Sequence, residues 1–330
     1  MNILITSAGQ RVSLVRAFQQ ELKKLHPEGK VFTTDMSPQL SPACQVSDRY
    51  FQVPRVTDPR YMDELLKLCR SQDIRMVVPT IDTELPCLAE QKQRFAADGI
   101  HIIISSPGLI AQFRDKRKTM QFFRQRGIKV PKEVDKQNPE FPFFIKPYDG
   151  SLSSDTFIIR SPDDLRDYHL QNEKLLFMEY FSKQHYDEYT VDMYFDRTGF
   201  IKCIVPRKRI FVRAGEINKG LTCRNQLVPY LKEKLGFVEG AAGCITGQFF
   251  MAKDNHNGNG TNSITGIEIN GRFGGGYPLS YRAGANYPLW LMQEYFENKT
   301  IAYTDNWEDQ LLMLRYDDEV LVHGYTNQFG

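Results

Sequence analysis

The segment ITGIEINGRFGGGYPLS carries the residues best suited to chemistry. Its apolar run presents Glu268 and Asn270 two residues apart, and the two-residue period of a strand puts both on one face. Gln248, in the neighbouring run ITGQFF, adds a third oxygen donor. One carboxylate and two amide oxygens are hard ligands of the kind that suits Mg²⁺ bridging nucleotide phosphates. Arg272 continues the same face, and Gly271 with Gly274, Gly275 and Gly276 permits close backbone approach. Read alone, a string of the form ExNxR also describes a solvated strand end.

A second element is FFIKPYDGSLSSD, where an apolar strand delivers Lys146 into a loop containing Ser151 and Ser153. Small side chains let backbone N–H groups and hydroxyls reach phosphate oxygens, and a lysine supplies balancing charge. It is not a Walker A loop, because the chain holds no GxxxxGK[ST] string. A plain hairpin turn is the alternative. Lys116, in RDKRKTM, would by itself be a solvated surface charge. In LLFMEYFSKQHYDEYTVDMYFD, Glu179 ends one strand and Glu188 begins the next. A hinge of this kind, with Tyr180 and Phe181 in it, can hold a purine, and its carboxylates can take the exocyclic amine and the ribose hydroxyls. Two further clusters suit an acceptor. Asp82 and Glu84 in VVPTIDTELP could hold an amine, or cap a helix; Arg207, Lys208, Arg209 and Arg213 in VPRKRIFVRAGE could clamp a carboxylate, or form a solvated strand face.

These residues need a scaffold. Over the first 108 residues NILIT, KVFTTD, DRYFQVP, MVVPTID and HIIISS read as strands alternating with the helical segments VSLVRAFQQELKKL, YMDELLKLCRSQ and TELPCLAEQKQRF, which predicts an open, mostly parallel α/β sheet. A helical stretch comes next, then the compact α+β region FPFFIKPYDGSLSSDTFII through LLFMEYF. After it come antiparallel strands with one long helix at LVPYLKEKLGF, a surface hairpin loop at KDNHNGNGTNS, and a last hairpin in LLMLRYDDEVLVHG.

Composition narrows the classes. The 330 residues are 41% hydrophobic, with 42 basic against 40 acidic residues and a formal net charge of +2. No basic stripe marks a nucleic-acid partner. Six cysteines without a CxxC pair fit free thiols in a reducing compartment. No apolar run reaches the ~20 residues of a membrane span, and the first residues lack a leader pattern, so a cytoplasmic protein with no membrane partner is expected.

Taken in order, DKRKTM, FFIKPYDGS, LLFMEYF, DEYTVD, ITGQFF and IEINGRFGGGYPLSY resemble the motifs of the ATP-grasp superfamily, in particular short proteins similar to the large subunit of carbamoyl phosphate synthetase. TTDMSP, DRYFQVPRV and VVPTIDTELPCLAE resemble the pre-ATP-grasp domain of those proteins. The resemblance implies a fold of the α/β plus α+β class: a Rossmann-like pre-ATP-grasp domain over 1–108, a small lid lobe over 109–180, and a large lobe with the metal and phosphate site over 181–330. It implies ATP and one or two Mg²⁺ as cofactors, with Mn²⁺ able to substitute. Lys116 and Lys146 match the two phosphate-contacting basic positions. Glu179 matches the adenine-side acid, Glu188 the ribose acid, and Gln248, Glu268 and Asn270 the metal ligands; Arg272 matches the arginine facing the transferring phosphate. The sequence departs from the pattern at Leu152 and Asp155, where glycines are usual in the phosphate loop, and at Gly271, where many relatives have proline.

The resemblance further implies an ATP-dependent ligase that makes an acyl phosphate from a small-molecule carboxylate and passes it to an amine or ammonia, with a homodimer as one assembly it allows. Two other readings are a nucleotide-binding sensor or scaffold and a bicarbonate-phosphorylating partner subunit. A nicotinamide enzyme, prompted by SAGQR and Asp35, lacks the GxGxxG fingerprint.

Overall fold

The computed structural model describes residues 1–150, 155–213, 215–253 and 264–325. The chain divides into two compact units. One comprises Met1–Ile104, Asn286–Thr300 and the segment starting at Arg315; the other comprises Ser105–Ala285 and Ile301–Leu314. The division thus assigns 286–300 to the first unit, whereas the sequence motifs place them in a lobe running from 181 to 330.

In the first unit β1 (Asn2–Ile5), β2 (Val31–Asp35), β3 (Arg49–Gln52), β4 (Ile74–Val78) and β5 (His101–Ile102) form a wholly parallel sheet in the order β3-β2-β1-β4-β5. Central β1 and β4 are almost entirely buried, as strands covered on both faces must be, which accounts for their unbroken apolar runs. Helices α1 (Val12–Leu25), α2 (Pro42–Val46), α3 (Tyr61–Ser71) and α4 (Leu85–Ala96) make the crossovers. In α1, Leu14, Val15, Phe18 and Leu22 recur at helical spacing and are buried, while Lys23 and Lys24 close the last turn, where cations suit the helix dipole. HIIISS contributes only His101–Ile102 to the sheet.

The second unit begins with α5 (Pro107–Arg114) and α6 (Lys116–Gln125). A three-stranded antiparallel sheet comes after them, ordered β7-β6-β8 from β6 (Phe143–Pro147), β7 (Phe157–Ile159) and β8 (Leu175–Glu179), with the short helix α7 (Asp167–Gln171). One face of this sheet packs through Phe143, Ile145, Ile159, Leu175 and Phe177. Next come β9 (Tyr186–Phe195), β10 (Ile201–Arg213), β11 (Glu216–Thr222), α8 (Leu227–Leu235), β12 (Gly243–Ala252), β13 (Ile264–Asn270), α9 (Tyr277–Arg282) and β14 (Leu312–Leu314). Among the described residues the strands form a six-stranded antiparallel sheet, β13-β12-β9-β10-β11-β14.

The final hairpin expected in LLMLRYDDEVLVHG is absent: β14 pairs with β11, and residues 315–325 add no strand. The physical reason is the run Asp317, Asp318 and Glu319, whose like charges disfavour a paired strand. Most of the predicted loop KDNHNGNGTNS (254–263) lies outside the described residues, as do Ser151, Leu152 and Ser153. Among the described residues no helix is long and apolar enough to cross a membrane.

Helix α6 is seated on β13 by close contact. The ring of fully buried Phe123 lies so near Gly266 that a Cβ there would come within 2.7 Å of it, and Gly266 N–H donates to Lys129 O (2.8 Å). Gly266→Ala should therefore destabilise the protein by about 1–3 kcal/mol, the usual cost of overpacking a tight core. Denaturant unfolding checks this, and an unchanged midpoint would contradict the packing described.

Candidate active site

Cross-strand partners in an antiparallel sheet share a face. The register pairs Glu268 with Gln248, Gln248 with Thr190, Thr190 with Arg207 and Arg207 with Thr222, so one polar row crosses five strands. A second row runs through Asn270, Thr246 and Asp192. The spacing of two between Glu268 and Asn270 thus places both on this face, as expected, and Asn270 Nδ2 donates to Glu268 Oε1 (3.4 Å).

Two lysines converge on Glu268. Lys116 is not a solvated charge: it is 9% exposed, at the first turn of α6. Its backbone N–H donates to Tyr148 O (2.9 Å) and its Nζ to Gly150 O (2.6 Å), so it holds the start of the loop after β6 from two sides. The same Nζ is 3.7 Å from Glu268 Oε2. Lys146 lies on β6, where alternation turns it away from the face of Phe143 and Ile145. Burial pushes its pKa down to about 8; Lys116 acts the same way, while Glu268 and Glu188 oppose the shift.

Glu179 and Glu188 lie at the end of β8 and on β9, each with its own partners. Glu179 ends β8, accepts from Lys132 N–H (3.2 Å) and donates its own N–H to Lys132 O (2.8 Å), which fastens the strand end. Glu188, on β9, forms an ion pair with Arg209 Nε (3.0 Å). Phe181 is buried against Phe250, with near-parallel rings 4.7 Å apart, and Tyr186 meets it edge-on; Tyr180 is half-buried.

The acceptor candidates fare differently. Arg207 is fully buried, and its Nε and Nη2 donate to the two oxygens of Asp192 (2.8 and 3.0 Å), so it is occupied inside the sheet and is not a solvent-facing clamp. Arg209 donates to Thr190 Oγ1 (3.1 Å) and Gly215 O (3.3 Å). Lys208 pairs with Asp187 (2.7 Å), and Arg213 is exposed at the end of β10.

In the first unit Glu84, not Asp82, stands at the N-cap position of α4, without a side-chain hydrogen bond to the helix. Glu84 is fully buried; one oxygen accepts from the N–H groups of Thr80 (2.9 Å) and Ile81 (3.3 Å), the other from Ser7 Oγ (2.8 Å) and Tyr61 OH (3.1 Å). Burial raises its pKa. Its task is to tie the turn after β1 to the loop after β4; Asp82 beside it is also buried. Asp35, which would meet a ribose in a nicotinamide enzyme, instead accepts from the N–H groups of Gly9 (3.1 Å) and Ser37 (3.0 Å) and closes its own loop.

Sequence reasoning does not reach Asp192, Thr246 and Ser280. Thr246 Oγ1 lies 3.1 Å from Asp192 Oδ1, and Ser280 Oγ donates to Asp192 Oδ2 (2.6 Å). Period-two alternation from Gln248 could have flagged Thr246; Ser280 carries no local signal.

Whether these residues suit Mg²⁺ can be judged from the donors. Among the described residues no group of three or more His, Cys, Asp or Glu could hold a metal. Glu268 is the one carboxylate among the three expected donors, with a lysine already beside it. Such a set fits a cation that arrives with phosphates and keeps several waters, and does not fit one held by the protein alone.

Comparisons with known proteins agree with this architecture. Residues 3–103 match the family model of the PylC-like N-terminal domain, and residues 171–315 match that of the ATP-grasp domain in the biosynthetic pathway with the Ter operon. A carbamoyl-phosphate synthase of Methanobrevibacter smithii is 28% identical over 121 residues, a match that spans 33% of this chain and 33% of that protein. Among solved structures, the biotin carboxylase domain of 2-oxoglutarate carboxylase from Hydrogenobacter thermophilus, a dimer in complex with MgADP, ADP and bicarbonate, superposes with a TM-score of 0.68 at 13% identity, over 93% of this chain and 72% of that one. The L-amino acid ligase of Bacillus licheniformis gives 0.64 at 17% identity over 90% and 74%, and N5-carboxyaminoimidazole ribonucleotide synthetase of Thermotoga maritima 0.62 at 18% over 94% and 79%.

The lowered pKa of Lys146 has a measurable consequence. The unfolded chain binds more protons than the folded one between about pH 8 and the ordinary lysine value, so this group's contribution to stability rises with pH across that window. A bound polyanion favours the charged lysine, so nucleotide affinity should weaken between about pH 7 and about pH 9. In Lys146→Arg, whose guanidinium stays charged, it should stay flat. Calorimetric titration with Mg·ADP tests both, and a flat profile for the unaltered protein would contradict the assignment.

Proposed function

The chain belongs to the ATP-grasp superfamily, and from that premise we propose that it is an ATP-dependent, ADP-forming ligase that activates a carboxylate as an acyl phosphate and joins it to an amine or ammonia. The observation that carries the reading is buried Lys116 lying 3.7 Å from Glu268, with buried Lys146 near enough for Glu268 to act on its charge, beside the sheet face that presents Glu268, Gln248 and Asn270.

Phosphoryl transfer asks little covalent chemistry of a protein; it asks for positioning and for fixed charge where charge develops. Lys116 and Lys146 supply that charge from sites that are largely dry, where it acts more strongly than in water. Arg272, in the bend just past the end of β13, adds a guanidinium assigned to the side of the transferred group. A divalent cation bound with the nucleotide would neutralise phosphate charge, and Gln248, Glu268 and Asn270 are the residues to hold it. The carboxylate oxygen attacks the γ-phosphorus and ADP leaves; the amine then attacks the acyl carbon and inorganic phosphate leaves. No side-chain nucleophile is required. The hinge of Glu179, Tyr180 and Phe181 is assigned to adenine and Glu188 to the ribose.

The loop that would close over the phosphates includes Ser151 and Ser153 and is assigned on its sequence alone. One structural neighbour holds bicarbonate and another is named for L-amino acids. Both are like this chain in fold, so the acceptor is to be found by trial.

The test is ADP release from Mg·ATP by the purified protein, against a panel of amino acids, other carboxylates and bicarbonate, each with and without an amine. Release that depends on an acceptor is expected, with a loss of at least about a hundredfold in Glu268→Gln, the size seen when one electrostatic element of a transition-state site is removed. Acceptor-dependent release that is unchanged in Glu268→Gln would overturn the metal assignment, and ATP binding with no release in any combination would favour a sensor.

A further inference from the structure

The loop after Arg272 is fixed at both ends by one buried carboxylate. Asp192 is fully buried on β9. Its Oδ2 accepts from Arg207 Nε (2.8 Å) and Ser280 Oγ (2.6 Å), and its Oδ1 from Arg207 Nη2 (3.0 Å). Ser280 lies in α9, at the far end of the loop. At the near end Thr246 Oγ1 is 3.1 Å from Asp192 Oδ1 and 3.1 Å from the backbone oxygen of Arg272.

A hydroxyl has one proton to give. Thr246 Oγ1 lies 3.1 Å from each acceptor, so its proton is shared between Asp192 Oδ1 and the carbonyl of Arg272 in a three-centre bond. Sterics support the same contact. A Cβ at Gly274 would lie 3.1 Å from Thr246 Cγ2 and 3.2 Å from its Oγ1, and one at Gly276 would lie 2.0 Å from Arg207 Nη1. The glycines therefore let the loop rest directly on the two side chains that Asp192 holds. The guanidinium of Arg272 donates Nη1 to Phe273 O (3.2 Å), so its course tracks the backbone of this loop.

We propose that Thr246, held by Asp192, is a positioning residue for Arg272: its hydroxyl fixes the Arg272 carbonyl and so sets where the guanidinium can meet the γ-phosphate. This rests on the ligase reading, in which Arg272 faces the transferred phosphoryl group.

The experiment compares affinities for Mg·ADP and Mg·AMP-PNP by calorimetry, in the full chain and in Thr246→Val and Thr246→Ser, with melting temperatures alongside. Only AMP-PNP presents a γ-phosphate. In Thr246→Val the preference for AMP-PNP over ADP should fall about fivefold to tenfold, as for loss of one hydrogen bond to the scaffold of a charged contact, with ADP affinity unchanged. Thr246→Ser should restore the preference. A purely structural role would lower the melting temperature and leave the preference as it was, and that outcome, or a serine variant no better than the valine one, overturns the proposal. If Thr246→Val does not fold, Thr246→Ala gives the same comparison. If the unaltered chain binds neither nucleotide, the ATP reading falls and this proposal with it; binding with an unmoved preference removes this proposal alone.

Discussion

Glu268 sits 3.7 Å from Lys116, and Lys146 is buried beside them, its pKa lowered mainly by that burial, with Lys116 adding to the shift and Glu268 opposing it. Two cations kept together out of water repel one another and lose hydration, and one carboxylate with help from Glu188 offsets only part of that cost. The lowering of Lys146 records the deficit. A polyanion would remove it. The surrounding structure can be read as the means of holding this arrangement. Phe123 packed on Gly266 fixes α6 against β13 and so brings Lys116 to Glu268, while the double attachment of Lys116 to Tyr148 and Gly150 carries the loop after β6 to the same place.

The six-stranded sheet provides a second resource, a row of buried polar residues that pair with one another across strands, although Arg207 Nη1 has no hydrogen-bond partner. Arg207, Asp192, Thr246 and Ser280 form one hydrogen-bonded group around a buried ion pair. Burying such a pair is worthwhile when it secures geometry more than stability. Here it secures the glycine loop and α9 relative to the strands that carry Gln248, Glu268 and Asn270. The first unit uses the same device once: Glu84, kept in the interior by four donors, joins the loops after β1 and β4 at the carboxyl ends of the parallel strands, where the order of the sheet reverses.

Much of this is legible in the sequence because the relevant signals are local. The spacing of Glu268 and Asn270, the strand that ends with Lys146 and Pro147, and the alternation of apolar strands with helices over the first hundred residues depend on periods of two and 3.6, and the sheets obey them. What escapes is decided by distant partners. Lys116 looks like any helix-start lysine until Gly150 and Glu268 close around it. Arg207 reads as part of a basic surface run, yet Asp192, fifteen positions earlier, draws it inside through a register no short string reveals. Glu84 looks like an accessible acid because the residues that bury it, Ser7 and Tyr61 among them, belong to other loops or helices. The tail misleads for another reason: LLML has strand-like residues, and the acidic run behind it prevents the second strand.

The most direct test is a crystal structure of the protein grown with Mg·AMP-PNP. Phosphate oxygens should lie within hydrogen-bond distance of both Lys116 Nζ and Lys146 Nζ, and a metal should touch Glu268 together with Gln248 or Asn270. Nucleotide bound elsewhere, or phosphates that leave Lys146 and Glu268 untouched at full occupancy, would contradict this assignment of the site.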